Sequence, residues 1–197
     1  MRIILTRHGQ TVENAEGRFI GHLPGKLSEL GKEQARKLAH RLKDEKIDYI
    51  YSSDLARAAD TAKEIAKYHP NAPIKFVREL REKCVGELEG KKIADFGWDP
   101  KELKAATIES EEGETTEELY ERAKNFLSFL MENHPNDTVL LAGHNGINVT
   151  LTTILLGKGC ENINDLDNLQ HTGVSVFETE KDGNWKMQIY NCTKHLE

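Results

Sequence analysis

Apolar positions along the chain switch between two periods, and the switches divide it into elements. Residues 3–6 form a short apolar run ending in Arg7-His8-Gly9, the pattern of a buried strand followed by a polar turn. From Ser28, an N-cap residue type, the spacing becomes helical, with Leu30, Ala35, Leu38, Ala39 and Leu42 on one side. Residues 47–51 predict a second strand and residues 54–68 a second helix, stopped by His69-Pro70. A third strand is expected over 74–77. Beyond it lie a glycine-containing stretch, Gly86 to Gly90, and a polar region reaching Gly113. Thr115-Thr116-Glu117-Glu118 supplies an N-cap and capping box for a long helix using Leu119, Ala123, Phe126, Leu127 and Leu130, which Asn133-His134-Pro135-Asn136 ends. Residues 138–142 are a strongly apolar strand running into Gly143-His144-Asn145-Gly146, with a helix over 147–156 after it. Residues 174–178 and 185–190 alternate well and flank Lys181-Asp182-Gly183-Asn184, a hairpin turn.

Strands alternating with helices predict an α/β fold: a three-layer sandwich, a mostly parallel sheet with helices on both faces, and a C-terminal antiparallel hairpin. No repeat, linker or composition break divides the 197 residues, so residues 1–197 are expected to form one domain. The weakest periodicity falls at 91–112, which reads as an insertion covering a site.

Composition narrows the class. With 27 basic against 33 acidic side chains, a net charge of −6 and 38% hydrophobic residues, the chain excludes collagen, coiled coil and wholesale disorder. The charge is uneven: residues 1–68 carry 13 basic and 10 acidic groups, residues 79–122 carry 7 and 14. No basic stripe with interleaved aromatics exists, so nucleic acid is not expected as a partner. No apolar stretch approaches the ~20 residues of a membrane span, and the short N-terminal run is no secretory signal. Cys84, Cys160 and Cys192, odd in number and far apart, suit reduced thiols. A cytoplasmic protein with no membrane partner is the expectation; oligomeric state is not legible.

Two strands each end in a histidine beside a glycine, at His8 and His144. Ligands of open parallel sheets bind outside strand carboxyl ends, and glycine lets backbone approach them closely. Arg7 and, after the next strand, Arg57 would converge on the same place, making a cationic pocket in an acidic protein. Its natural guest is an anion, phosphate above all. Each residue alone is a weak signal; a lone strand-end histidine is more often a structural residue. A zinc site from His8, Glu82 and His144 lacks the tight ligand spacing of known metal motifs, and Gly25-Lys26-Leu27 lacks the upstream glycine and the following Ser/Thr of a P-loop.

The ordered set resembles the histidine phosphatase superfamily, in its phosphoglycerate mutase-like branch. The likeness runs from Leu5-Thr6-Arg7-His8-Gly9-Gln10-Thr11 through Asn14, Arg18-Phe19-Ile20-Gly21, Leu27-Ser28-Glu29-Leu30-Gly31, Ser52-Ser53-Asp54-Leu55-Ala56-Arg57-Ala58, Leu80-Arg81-Glu82 with Gly86 and Glu89-Gly90, and Gly113-Glu114-Thr115 followed by Arg122, to Gly143-His144-Asn145. The resemblance implies that His8 is the phosphorylated nucleophile, that Arg7, Arg57 and His144 hold phosphate, and that Glu82 is the general acid and base. It matches Asn14 to a further phosphate-pocket residue. Gly9, His22 and His171 are candidate substrate neighbours. Without the family pattern Glu82 is one of four acidic candidates with Glu79, Glu87 and Glu89. It also implies a small phosphomonoester as partner and no metal or other cofactor, the guanidiniums taking over the charge stabilisation often given to Mg²⁺. The 82–114 span is shorter than in the mutases of this family, and Leu23-Pro24-Gly25-Lys26 stands where the pattern usually carries an aspartate. Both departures favour hydrolysis over mutase-type transfer; a non-catalytic phosphate-binding module is the remaining alternative.

Overall fold

A computed structural model describes residues 1–100, 102–180 and 183–197. In chain order it contains β1 (Arg2–Arg7), α1 (Val12–Ala15), α2 (Glu29–Leu42), β2 (Tyr49–Ser53), α3 (Ala56–Ala66), β3 (Ile74–Val77), α4 (Thr116–Asn133), β4 (Thr138–Gly143), α5 (Asn145–Leu155), β5 (Val174–Thr179) and β6 (Trp185–Cys192). These strands form one sheet in the order β3-β2-β4-β1-β5-β6. β1, β2, β3 and β4 pair in parallel, while β5 and β6 add the antiparallel edge. The three-layer α/β arrangement is therefore as expected. Of the predicted hairpin turn, Lys181 and Asp182 lie outside the described residues.

The period of two along each strand sorts side chains onto two faces. Ile3, Leu5, Tyr51, Val139, Leu141 and Phe177 point to the face covered by α4 and α5. Ile4, Ile50, Leu140, Ala142 and Val176 point to the face covered by α2 and α3. Because β4 is buried along its whole length, it reads as a continuous apolar run. Truncating Leu141, fully buried, to Ala costs about 2–5 kcal/mol by leaving a cavity at the sheet centre.

Boundaries differ from the sequence reading in instructive places. Leu30 is 54% exposed, because the buried stripe of α2 runs through Gly31, Ala35, Leu38, Ala39 and Leu42 and Leu30 lies about 100° off it. β2 starts two residues later than expected, since Ile47 is buried ahead of the strand rather than within the ladder. The one-turn helix α1, capped reciprocally by Thr11 and Asn14, has too few apolar positions to show a period. Residues 78–107 contain four short 3-10 turns in place of longer elements.

Candidate active site

Parallel register brings the two histidines together. Arg7 of β1 is level with Gly143 of β4, so the next residues, His8 and His144, leave the sheet side by side. The His8 backbone N–H still donates to the Gly143 carbonyl at 3.1 Å, and the two rings lie 5.0 Å apart, edge to face. The chain leaving β1 runs to α2 on one face and the chain leaving β4 enters α5 on the other. A crevice therefore opens between these strand ends, the usual ligand position in such sheets.

Hydrogen bonds fix each imidazole's tautomer. His8 Nδ1 faces the Gly9 carbonyl at 2.7 Å; a carbonyl only accepts, so Nδ1 carries the proton and Nε2 keeps its lone pair. Arg57 Nε donates to His144 Nδ1 at 3.1 Å, which places the His144 proton on Nε2. That Nε2, and Arg7 Nε, are buried without a protein partner. Both atoms are donors, so two unspent N–H groups lie close to His8; Arg7 lines the cavity there, while His144, fully buried, sits behind its lining against the His8 ring.

Burial and charge act in the same direction on the rings. Desolvation first, then the Arg57 and Arg7 guanidiniums, hold His8 well below the usual imidazole range. Desolvation and Arg57 do the same to His144. Both rings are neutral at physiological pH. Burial lowers Arg7 and Arg57 to about 10 against the opposing pull of Glu82, so both stay cationic. Arg57, 1% exposed, is spread over the site's far wall, giving its Nη atoms to the carbonyls of Leu23 and Gly21 at 2.7 and 2.8 Å. Arg7 Nη1 is tied to the Leu169 carbonyl at 2.6 Å.

Glu82 reaches the crevice from the segment after β3. Its Oε1 accepts from the backbone N–H groups of Lys83 at 3.0 Å and Ile147 at 3.3 Å, and Oε2 from Gly146 at 3.2 Å. The latter two are in the first turn of α5, whose start two residues earlier than predicted is what supplies them. Of the other acidic candidates, Glu87 accepts from the amides of Glu111 and Glu112, and Glu89 from the amide of His22.

Arg7, His8, Arg57, Glu82, Asn14 and His171 line a cavity of about 750 Å³. His171 holds its ring 5.5 Å from that of His8 and donates from Nδ1 to the His8 carbonyl at 3.1 Å. Burial, then Arg7, lowers it to about 3. Thr172, next along, sits at φ +57° with its N–H on the Arg7 carbonyl, a strained residue that fixes the turn. Two candidate neighbours do not face the cavity. His22 donates from Nε2 to the Glu82 carbonyl at 2.9 Å, behind the carboxylate. Gly9 packs on α2, where an added Cβ would lie 2.4 Å from the Gly31 carbonyl oxygen. Their contribution is to backbone position. Lys83, fully buried beside Glu82, carried no sequence signal; its Nζ bonds Glu109 and Thr116 at 2.9 Å each and the Ala106 carbonyl at 3.3 Å.

Among the described residues no group of three His, Cys, Asp or Glu side chains is placed to hold a metal ion, and no helix is long and apolar enough to cross a membrane. A neutral imidazole with a free lone pair, set between buried guanidiniums at the switch point of a parallel sheet, belongs to an enzyme that cleaves phosphate esters, a phosphatase. The chain is a member of the histidine phosphatase superfamily (branch 1), whose family model matches residues 3–193. It is 34% identical over 212 residues to phosphoserine phosphatase 1 of Hydrogenobacter thermophilus, covering 100% of this chain and 94% of that protein. To phosphoglycerate mutase-like protein 4 of Arabidopsis thaliana it is 30% identical over 203 residues, covering 99% and 86%. Among solved structures, Bacillus stearothermophilus YhfR superposes with a TM-score of 0.88 at 26% identity, covering 100% of this chain and 99% of that one. A mycobacterial glucosyl-3-phosphoglycerate phosphatase complexed with VO3 gives 0.87 at 27% identity, covering 97% and 99%.

Proposed function

We propose that the protein hydrolyses phosphomonoesters in two steps through a phosphohistidine on His8. Nε2 of His8 attacks phosphorus and the P–O bond to the leaving group breaks. Glu82, as general acid, gives a proton to the departing alkoxide. Water then attacks the phosphohistidine, Glu82 takes a proton from it, the P–N bond breaks and inorganic phosphate leaves. Arg7 Nε, Arg57 and His144 Nε2–H stabilise the charge on the transferring oxygens, while Asn14 and His171 border the same space. The observation that carries the reading is the Nδ1–H of His8 on the Gly9 carbonyl, which holds the lone pair of Nε2 inside the guanidinium pair.

Hydrolysis of a small phosphorylated metabolite fits the relatives, which include phosphoserine phosphatases and an adenosylcobalamin/alpha-ribazole phosphatase of Escherichia coli. The cavity is far larger than one phosphate needs. Its remainder is bordered by Phe19, Val85, Ile93, Leu103 and Ile108, so residues 91–112 act as the cover over the leaving group, within one domain. The test compares Glu82→Gln on two classes of ester. General acid/base help is worth about 10²–10⁴ in rate, so a loss of that order is expected on alkyl phosphates and a much smaller one on nitrophenyl phosphate, whose phenolate leaves without a proton. An acid-labile, base-stable phosphoenzyme is expected with either ester. Equal losses on both esters would remove Glu82 from the donor role.

A further inference from the structure

We propose that Arg122 is a positioning residue for the phosphatase reaction: it holds the backbone of Glu82 so that the carboxyl meets the leaving group. The inference rests on the acid/base assignment of Glu82 above and concerns a residue that does not line the cavity.

Glu82 lies between two 3-10 turns, Arg78–Leu80 and Gly86–Leu88, where no sheet ladder or helix fixes the carbonyls. Half-buried carbonyls need partners from elsewhere: His22 reaches the Glu82 carbonyl at 2.9 Å, and one further side chain reaches three carbonyls of the segment. Arg122 Nη1 donates to the Glu79 carbonyl at 2.7 Å and the Arg81 carbonyl at 3.0 Å, and Nη2 to the Glu82 carbonyl at 3.3 Å. The remaining donors, Nε and Nη2, grip both oxygens of Glu114 at 2.7 Å each. The pair is only 21% and 15% exposed.

Glu114 is itself pinned to the far side of the same loop, its N–H donating to the Cys84 carbonyl at 2.9 Å. Gly113 before it has no room for a Cβ, which would lie 2.7 Å from that carbonyl oxygen. Gly113, Glu114 and Arg122 thus form one clamp around residues 79–84, mounted on α4, an 18-residue helix with Leu119, Ala123, Phe126, Leu127 and Leu130 in the core. From this frame the Glu82 side chain extends to the first turn of α5. The planar fork of arginine is needed to serve three carbonyls and a carboxylate at once; a lysine ammonium has three donors and no fixed plane. Arg81, the neighbour, is spent elsewhere, on both oxygens of Asp54 at 2.7 and 2.6 Å.

Misplacing a catalytic group by about an ångström costs on the order of a hundredfold, and the loss falls only on steps that use that group. Arg122→Gln is therefore expected to lower kcat on an alkyl phosphate such as glycerol 2-phosphate by about tenfold to a hundredfold, while nitrophenyl phosphate loses far less and KM moves little for either. In a Glu82→Gln background the same substitution is expected to add almost nothing to the alkyl loss, because its route to the chemistry is already closed. Arg122→Lys is expected to fall between, and serves alone if Arg122→Gln does not fold, judged by circular dichroism and melting temperature. If a folded Arg122 variant reduces both esters equally, or if its loss multiplies with that of Glu82→Gln, the positioning role is overturned and Arg122 is structural only. If Glu82→Gln shows no leaving-group dependence, the acid/base assignment fails first. A clear dependence there with none for Arg122 defeats this inference alone.

Discussion

The two ends of the cavity are built in opposite ways. At the phosphate end, His8, Arg7 and His144 stand at the carboxyl ends of β1 and β4, whose register sets their places, and Arg57, in the first turn of α3, is held by the Gly21 and Leu23 carbonyls and by His144. At the leaving-group end, Val85, Ile93, Leu103 and Ile108 come from loops and 3-10 turns outside the sheet; they pack with Phe19 in a small apolar cluster of their own, and the Lys83 ammonium and the buried Ala106 tie the stretch to the rest of the protein. Where side chains project from paired strands, shifting one residue moves a whole ladder, so the transfer chemistry is fixed with the fold. Where they project from turns, one side chain can change without its neighbours. On the proposed mechanism, the first region is expected to set reactivity and the second the choice of substrate.

The sharpest break is at the first region. On the proposed mechanism, His8→Ala removes the phosphoryl acceptor, and loss of a covalent nucleophile costs at least about 10⁴ in kcat. Turnover and acid-labile phosphoenzyme are both expected to vanish while the melting curve stays cooperative; measurable phosphoenzyme in folded protein would refute the assignment. Arg57→Met comes next. Removing one preorganised donor to a transition-state oxyanion costs about 10²–10³ in kcat, and His144 Nδ1 loses the guanidinium that donates to it, so its tautomer is no longer fixed. Both effects should apply to every ester, good leaving group or poor.

The second region should behave otherwise. Trimming a few methylenes from a leaving-group wall is worth about 1–3 kcal/mol of discrimination, so Ile108→Ala is expected to lower kcat/KM by about tenfold or more for esters bulky enough to touch it. Small esters should be unaffected, and phosphoenzyme formation from nitrophenyl phosphate should persist. A uniform loss across a panel of phosphomonoesters would mean that the two ends are not separable, and that residues 91–112 support the chemistry itself.

That division also governs what the sequence could reveal. β1 and β4 were legible because a buried parallel strand is an unbroken apolar run, and the Arg-His-Gly and Gly-His-Asn segments follow directly from the strand ends. The capping box of Thr115 and the core stripe of α4 were equally plain. What stayed hidden depends on contacts distant in sequence. Nothing near Glu82 distinguishes it from Glu79, Glu87 or Glu89; the amides of Gly146 and Ile147, more than 60 residues on, do so. Lys83 reads as one more surface charge, and its burial arises only when Glu109 and Thr116 fold over it. His22 has the composition of a pocket residue but spends its ring on a backbone carbonyl.

The smallest predicted effect concerns stability, and it too separates the regions. His8, His144 and His171 are all held neutral by burial and by the guanidiniums beside them. In the unfolded chain each titrates near 6.5. Below that pH the unfolded state binds protons that the folded state does not, so stability is full above about 6.5 and declines as the pH falls. For His171, which titrates at about 3 when folded, the decline continues through the whole interval between. Each such imidazole costs up to about 1.4 kcal/mol per pH unit, which for a domain of this size lowers Tm by about 3–5 °C. His171→Asn is expected to flatten the fall of Tm between pH 6.5 and 5 by about one imidazole's share, whereas Ile108→Ala should leave its slope unchanged. The comparison requires only melting curves in the absence of phosphate. An unchanged slope in His171→Asn would show that this ring takes up its proton in the folded protein, and that the phosphate end is less closed to protons than its hydrogen bonds imply.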